Sequence, residues 1–584
     1  MTVLSVFGIC HHMAASSRKV LRTYLYPYSW HIMAIATLQF LAVITQVLAI
    51  GMLKPILDTG VEGYGVEYIV AQGVVLLGIT MTFALAVSLA SKMSSEVASY
   101  VASDLRRDVL AASLRVQSLE SAGSTTTYSL SSLTSNVMVV QDYIYKSFAV
   151  YMPLPPLAIL MVLCTYYISS TVGLMVAVAM IAVIALTFIL SMRISKVHGE
   201  SMEGQDIIYG LLREKVNGAR TIKSYGGEDY EVKKFWGFSG FYGNRNFKIA
   251  MNSYHLPSFT TAFIWIFIVF VYMVAALGMS EQTIRPSHLM LFMQFTTCII
   301  SCLAIVPYIC LHVPYALANM ERVEEIVNAT DDRPRTTVRK EGADALVAEN
   351  VSFVDQFGRR MLDNLNLVVK TGEITTVTGP NGSGITELID MVTAFSVPAS
   401  GKIEVCGMDV GTSNPSDIRS AVSYAGRQSG TFSTTMRFNL DPFGTHDDKE
   451  ILDVCKKTGF ISYVNSLRDG LDTKVSPTGM SGGQSQLLAL TRCLLRDAEL
   501  YVFDDCFFSM DLVTRKKALS AVLDICSGKT VLFASHDMST VDLSQKVFVV
   551  KDGHVVDSGT HDGLLKGSSF YSDMFKKSSG GLSC

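Results

Sequence analysis

Four short segments in the last 240 residues or so carry residue types suited to phosphate chemistry. The run EITTVTG (Glu373–Gly379) is β-branched and apolar. It leads into GPNGSGIT and then into a helical pattern. Strand, glycine-rich turn and helix together make a P-loop in outline. Gly379, Pro380, Asn381, Gly382, Ser383 and Gly384 form the turn, and Ile385 and Thr386 open the helix. In such a turn glycines let backbone N–H groups face inward, and with the helix amino terminus they cradle phosphate oxygens. A glycine turn alone is a weak signal, since many βα turns contain two glycines. LYVFDD (Leu500–Asp505) is a buried-strand pattern ending in two acids, with Asp504 placed to hold Mg²⁺. VLFASHD (Val531–Asp537) is another, ending at His536, and MSGGQ (Met480–Gln484) lies twenty residues before the acids. Each has a plain alternative: Asp504 as a strand cap, His536 as a satisfied histidine at a strand end, SGGQ as a helix start. Their order and spacing argue against coincidence.

The elements that must position these residues are buried parallel strands ending in polar side chains, which is where α/β sheets place ligands. They occupy only part of the chain. At 584 residues it is long enough for two sizeable cores. Charged residues make up 17% and are concentrated in the last 240 residues or so, while the first 320 hold long apolar runs. A bilayer core takes about 20 apolar residues of helix. Six stretches qualify: Trp30–Leu53, Val66–Leu89, Phe148–Ser169, Val172–Met192, Phe259–Met279 and Leu289–Val313. The short connections between them carry almost no positive charge. The long ones, Lys92–Lys146 and Arg193–Pro257, hold Arg106, Arg107, Arg115, Arg213, Lys215, Arg220 and more. Positive residues stay inside, so both termini, both long connections and the soluble half are expected in the cytoplasm. Ala98, Val101, Leu105 and Val109 recur at helical spacing, so the helices should run on well past the membrane. A charge- and turn-rich linker, Ala329–Asp344, follows. The expected organisation is a tail and elbow over 1–28, an all-α six-helix transmembrane domain over 29–328, a linker over 329–344 and an α/β P-loop nucleotide-binding domain over 345–578.

The motifs, in this order and at this spacing, resemble the exporter-type ABC transporters across residues 17–575 or so. MSGGQ matches the signature that defines the family, and LYVFDD matches its Walker B strand. The resemblance implies ATP and Mg²⁺. It makes Thr386, Gln428 and Asp504 the Mg²⁺ ligands, with Gln428 in the Q-loop, Asp505 in the catalytic slot, His536 as the switch histidine and Asp511 in the D-loop. Ser481, Gly482, Gly483 and Gln484 form the signature. It also implies that hairpin tips near Ser118–Val137 and Val216–Phe235 dock on nucleotide domains.

The departures from that pattern carry the sharper inference. The P-loop lysine slot holds Ile385, which offers no charge and no donor. The Walker B strand ends in Asp504–Asp505 where active ATPases have aspartate–glutamate. Asp505 is one methylene, roughly 1.5 Å, shorter, and a misplacement of that size can cost about a hundredfold in rate. The slot for the adenine-stacking aromatic holds Asp355, with Phe353 and Phe357 nearby but out of register. The signature is intact. In this family two nucleotide domains meet head to tail, each ATP lying between one P-loop and the other signature. A decayed P-loop beside an intact signature therefore implies a heterodimer. The partner is a second ABC half-transporter with complete P-loop and catalytic glutamate.

Other functions find less support. A net charge of −3 gives no reason to expect nucleic acid. The eleven cysteines form no CxxC pair and suit reduced cytoplasmic thiols. Residues 1–16 lack a basic front and a clear cleavage site, so no cleavable signal peptide is expected. Cys10, His11 and His12 are read as an unstructured tail rather than a metal site. The third to sixth spans carry no Asp, Glu, Lys or Arg in their apolar cores, which speaks against a proton relay. Met161, Tyr166, Tyr167, Phe292, Met293 and Phe295 either line a cavity for amphipathic molecules or simply pack; packing also accounts for Cys298 and Cys302 on one helix face. The reading is an exporter of hydrophobic or amphipathic compounds, peptides or lipids, embedded in membrane lipid of a bacterial plasma membrane. An importer on the same fold, or a regulatory or channel-like subunit, are the alternatives.

Overall fold

The structure is a computed structural model that describes residues 22–59, 65–115, 132–280, 286–328, 337–355, 357–427, 430–476, 479–535 and 538–579. Cys10, His11, His12, Gln428 and His536 lie outside the described residues, as do most of the first expected hairpin tip and the start of the linker. The chain divides into two units.

The first unit is helical. Its elements are α1 (Ser29–Gly51), α2 (Gly65–Arg115), α3 (Val137–Lys146), α4 (Leu154–Ile168), α5 (Ser170–Asn217), α6 (Ala219–Ser224), α7 (Glu228–Ser280) and α8 (Pro286–Val327). A π-helical turn, Ser147–Tyr151, joins α3 to α4. Five stretches are long and apolar enough to cross a membrane: Arg22–Thr59, Gly65–Leu114, Thr134–Ile168, Ser170–Ile189 and Ser287–Val327. The fifth expected span, Phe259–Met279, falls on Ser258–Val274 within α7, whose apolar stretch is shorter. At about 1.5 Å per residue the 51 residues of α2 measure on the order of 75 Å, more than twice a bilayer core of about 30 Å. The expected extension beyond the membrane is thus one unbroken helix. Its helical stripe is a packed face: Ala98, Val101, Leu105 and Val109 are buried in one core with Val137, Val140 and Ile144 of α3 and Val313 and Met320 of α8. The opposite pattern holds near the helix start, where Val70, Val74, Leu77, Met81 and Leu85 stay exposed, as expected of a face that meets lipid.

One residue, Ser169, separates α4 from α5, and its backbone is extended (φ −147°, ψ 114°). So tight a reversal works because residue 173 is glycine: a Cβ there would lie 2.2 Å from the Cα of Tyr166. Met161, Phe292 and Phe295 are packed inside the bundle, while Tyr166, Tyr167 and Met293 are exposed. Packing is therefore the right reading for the first three. Cys302 is buried, and the Sγ of Cys298 accepts from Nε2 of Gln46 at 3.7 Å.

The second unit is a two-sheet α/β domain. Its strands are β1 (Leu346–Val354), β2 (Arg360–Val369), β3 (Ile374–Thr378), β4 (Ser400–Val405), β5 (Met408–Asp409), β6 (Val422–Ala425), β7 (Leu500–Asp504), β8 (Thr530–Ala534), β9 (Lys546–Lys551) and β10 (His554–Gly559). The four-stranded sheet has the order β2-β1-β4-β5 and is antiparallel throughout. The six-stranded sheet has the order β10-β9-β3-β8-β7-β6; β9, β3, β8, β7 and β6 run parallel. The helices that matter for the site are α9 (Ile385–Val392), α10 (Gly482–Leu495) and α11 (Leu512–Ile525). β7 and β8 are near-continuous apolar runs because both faces are covered. Val502 and Leu532 pack with Leu388, Ile389 and Val392 of α9, whereas Tyr501, Phe503 and Phe533 pack with Leu488 and Leu490 of α10. Residues 337–340, expected in the linker, already attach to this unit: Arg339 bridges Met408, and Thr337 Oγ1 donates to Asp417 Oδ2 at 2.5 Å.

Candidate functional site

The turn after β3 has the backbone a phosphate cradle requires. Gly382 and Gly384 are left-handed, at φ +81° and +94°. A Cβ on Gly384 would lie 2.5 Å from the carbonyl of Met361, and one on Gly379 would lie 2.1 Å from that of Val550. Gly379 is demanded by close backbone approach, and Gly384 by close approach and by conformation. Gly384 caps α9 without any side-chain hydrogen bond, which leaves the first N–H groups of the helix to a ligand. Inside the turn the hydroxyl of Ser383 is sealed from solvent and has no hydrogen-bond partner in the protein. A buried hydroxyl with no partner is costly, and a phosphate oxygen would satisfy it.

Ile385 occupies a different place from the one its slot implies. Its side chain is 5% exposed and belongs to the hydrophobic core with Leu362, Leu388 and Val392. Only its backbone N–H is left to serve a nucleotide. Thr386 beside it is exposed at the helix start, as a Mg²⁺ ligand must be.

Across β8, the ends of β7 supply the acids. Asp504 stands level with Ala534, which in turn neighbours Val377 at the end of β3. The phenol of Tyr424 lies 3.4 Å from Asp504 Oδ2. Asp505 is left-handed (φ +43°), unusual for a residue with a side chain. Its N–H donates to the carbonyl of Ala534 at 2.9 Å, and its Oδ1 accepts from the Ser535 hydroxyl at 3.3 Å. The short carboxylate is thus held toward its own sheet. Sequence reasoning passed over Ser535, although its position directly before His536 was visible.

The signature forms a helix start of defined geometry. Ser481 caps α10: its Oγ accepts from the N–H of Gln484 at 3.3 Å, and Gln484 Oε1 accepts from the N–H of Ser481 at 2.8 Å. This reciprocal pair is a capping box. Gly483 has to be small, since a Cβ there would lie 3.0 Å from the Ser509 carbonyl. Gln486 Oε1 accepts from the N–H of Ser509 at 2.8 Å and its Nε2 donates to the Arg427 carbonyl at 3.4 Å, tying the start of α10 to the segments after β7 and after β6. Asp511 caps α11, with Oδ1 accepting from the N–H groups of Val513 and Thr514, both at 3.0 Å. Hydrogen bonds from Thr514 hold its carboxyl below the usual carboxylate range.

Asp355, in the adenine slot, organises a turn. Its Oδ1 accepts from the N–H groups of Phe357 (2.9 Å) and Arg359 (2.8 Å), and its Oδ2 from Arg359 Nε (2.7 Å). Phe353 packs against the core, whereas Phe357 is 73% exposed with the Arg359 guanidinium 5.5 Å from its ring centre. Of the two aromatics near the slot, Phe357 is the one a purine could reach.

Comparison with known proteins gives the same reading for both units. The family description "ABC transporter transmembrane region" matches residues 32–303, and "ABC transporter" matches residues 362–508. Between them they cover most of the chain. The chain belongs to the ABC transporters. This transporter is 23% identical over 423 residues to the ATP-dependent lipid A-core flippase of Burkholderia thailandensis, covering 70% of each protein. It is 26% identical over 414 residues to an uncharacterized ABC transporter ATP-binding protein, YfiC, of Bacillus subtilis, covering 66% of this chain and 65% of that one. Its fold matches that of a bacterial Atm1-family ABC exporter solved with ATP bound, at a TM-score of 0.83 and 16% identity, over 95% of this chain and 98% of the other. The transporter therefore has the exporter-type half architecture, a helical membrane domain fused to a nucleotide domain.

Proposed function

We propose that this transporter half is one subunit of a heterodimeric, ATP-driven exporter, and that it completes its partner's catalytic site while its own site hydrolyses little or nothing. The observation that carries the proposal is the contrast between two loops. The side chain in the P-loop lysine slot is packed into the core, while Ser481 stands exposed at a fully formed signature helix start. A triphosphate in this chain's own turn would meet backbone N–H groups and no side-chain cation from residues 371–401. Thr386, Asp504 and Gln428 would hold Mg²⁺, which neutralises phosphate charge when bound. Asp505, drawn back to Ser535, is poorly placed to act as a base. A partner bringing its own lysine and glutamate needs only Ser481, Gly482, Gly483 and Gln484 from here.

In this reading six helices cross the membrane, the nucleotide domain and both termini are cytoplasmic, and the cargo is hydrophobic or amphipathic. The name of the Burkholderia relative, a lipid A-core flippase, and the apolar helix faces agree with such a cargo. The test is turnover by subunit. The purified chain alone should show negligible ATPase activity, and the assembled pair should be active. Ser481→Ala or Gln484→Ala in this chain should abolish turnover of the pair, and Ile385→Lys should change it little. Brisk, vanadate-sensitive hydrolysis by this chain without a partner would sink the proposal.

A further inference from the structure

We infer that the glycine turn of this chain selects a nucleoside diphosphate over a nucleoside triphosphate. The inference rests on the reading above that Gly379–Thr386 holds a nucleotide, and it goes further by setting the charge of the ligand.

The cradle favours a phosphate without favouring many. Its geometry is preserved by Gly379, Gly382 and Gly384, and the Ser383 hydroxyl, 2% exposed and unpartnered, fits a single phosphate oxygen. Within the turn the positive potential comes from backbone N–H groups and the start of α9, equivalent to about half an elementary charge. No Lys or Arg occurs between Lys370 and Lys402. The one charged side chain in the first turn of α9 is Glu387, whose carboxylate offsets that half charge. Asp504 and Asp505 add two more carboxylates at the same end of the sheet.

Against this background every further phosphate is penalised. The adenosine, the α- and β-phosphates and one Mg²⁺ are common to both ligands, so their contributions cancel. What differs is the γ-phosphate, which adds a negative charge where the lysine ammonium of an active P-loop would meet it. Here that position holds an alkyl side chain turned into the core. The γ-phosphate thus meets carboxylates with no side-chain cation from the turn to offset them, a repulsion that at short range amounts to on the order of tenfold in affinity.

Equilibrium binding to the full-length chain, purified alone in lipid nanodiscs with Mg²⁺, tests this with ADP and the non-hydrolysable triphosphate AMP-PNP as probes. Wild type should bind ADP several-fold more tightly than AMP-PNP. Ile385→Lys should move the ratio toward AMP-PNP by about tenfold or more, and Glu387→Thr by a few-fold in the same direction. Should the buried lysine prevent folding, Glu387→Thr and the wild-type ratio still decide. Tighter binding of AMP-PNP by wild type would overturn the inference, as would a ratio unmoved by Glu387→Thr. Failure to bind either probe would overturn the nucleotide-site reading as well. Hydrolysis of ATP by the chain alone would defeat the heterodimer proposal while leaving this ratio to be judged separately.

Discussion

The carboxamide of Gln39 on α1 donates to the carbonyl of Ala149 at 3.3 Å and shares that donor with Phe148 at 3.4 Å. These are the two carbonyls to which an N–H at residue 153 would be directed. An α-helical bond from residue 153 would go to Ala149 and a π-helical one to Phe148, and proline has no N–H for either. Gln39 is 4% exposed in an apolar bundle, so its side chain is spent on this repair. Gln39→Leu should destabilise the membrane domain by about 1–3 kcal/mol, the cost of orphaning buried carbonyls. The same change in a Pro153→Ala background should cost much less, because residue 153 can then donate. Thermal unfolding of the four proteins in one detergent gives the coupling; purely additive effects would refute the repair.

Gly173 makes the α4–α5 reversal possible. Gly173→Ala places a Cβ 2.2 Å from the backbone of Tyr166, and neither helix can yield without opening the hairpin. The variant should lose about 2 kcal/mol or more and show a reduced yield of folded protein in membranes. An unchanged melting temperature would contradict the tightness of this turn.

Gly379→Ala should remove nucleotide binding by this chain, since its Cβ would lie 2.1 Å from the Val550 carbonyl and displace the turn. In the heterodimer proposed above, the partner's site would draw on Ser481–Gln484 from a separate helix start and should survive. Binding of a fluorescent ADP analogue to the chain alone, set beside ATPase of the pair, separates the two outcomes.

The Asp355 turn should loosen in acid. Partial burial works against its ionisation, but hydrogen bonds from Arg359 and Phe357 outweigh this and hold the carboxyl below its ordinary range. A carboxyl depressed in the folded state stabilises above its unfolded pKa, about 3.9, and that contribution disappears as pH falls through the folded value. The difference in melting temperature between wild type and Asp355→Ala should therefore be constant from pH 7 to about 5 and shrink below about 4. A difference that grows in acid would show the sign to be wrong.

Most of the architecture was legible because it follows from local patterns. Long apolar runs give membrane helices, and a stripe such as Ala98, Val101, Leu105 and Val109 gives a packed face wherever its partners turn out to be. Strand, glycine turn and helix at Glu373–Thr386 are local too, as is the Ser481–Gln484 capping box, whose donors and acceptors sit three residues apart. The fifth span was less clear: Ser258–Val274 is apolar, but shorter than the sequence window suggested.

What chemistry the site retains depended on contacts between residues far apart in the chain. The letter at position 385 shows that a lysine is missing; only the packing of α9 against β2 shows that the side chain there is core and leaves the N–H as its sole polar contribution. Likewise the withdrawal of Asp505 to Ser535 and the use of Gln39 to mend a break at Pro153 rest on bonds between residues 30 and 110 positions apart. Periodicity and motif spacing specify elements because backbone geometry repeats along the chain. Which polar group meets which is decided only when those elements pack, since that alone determines what is removed from solvent.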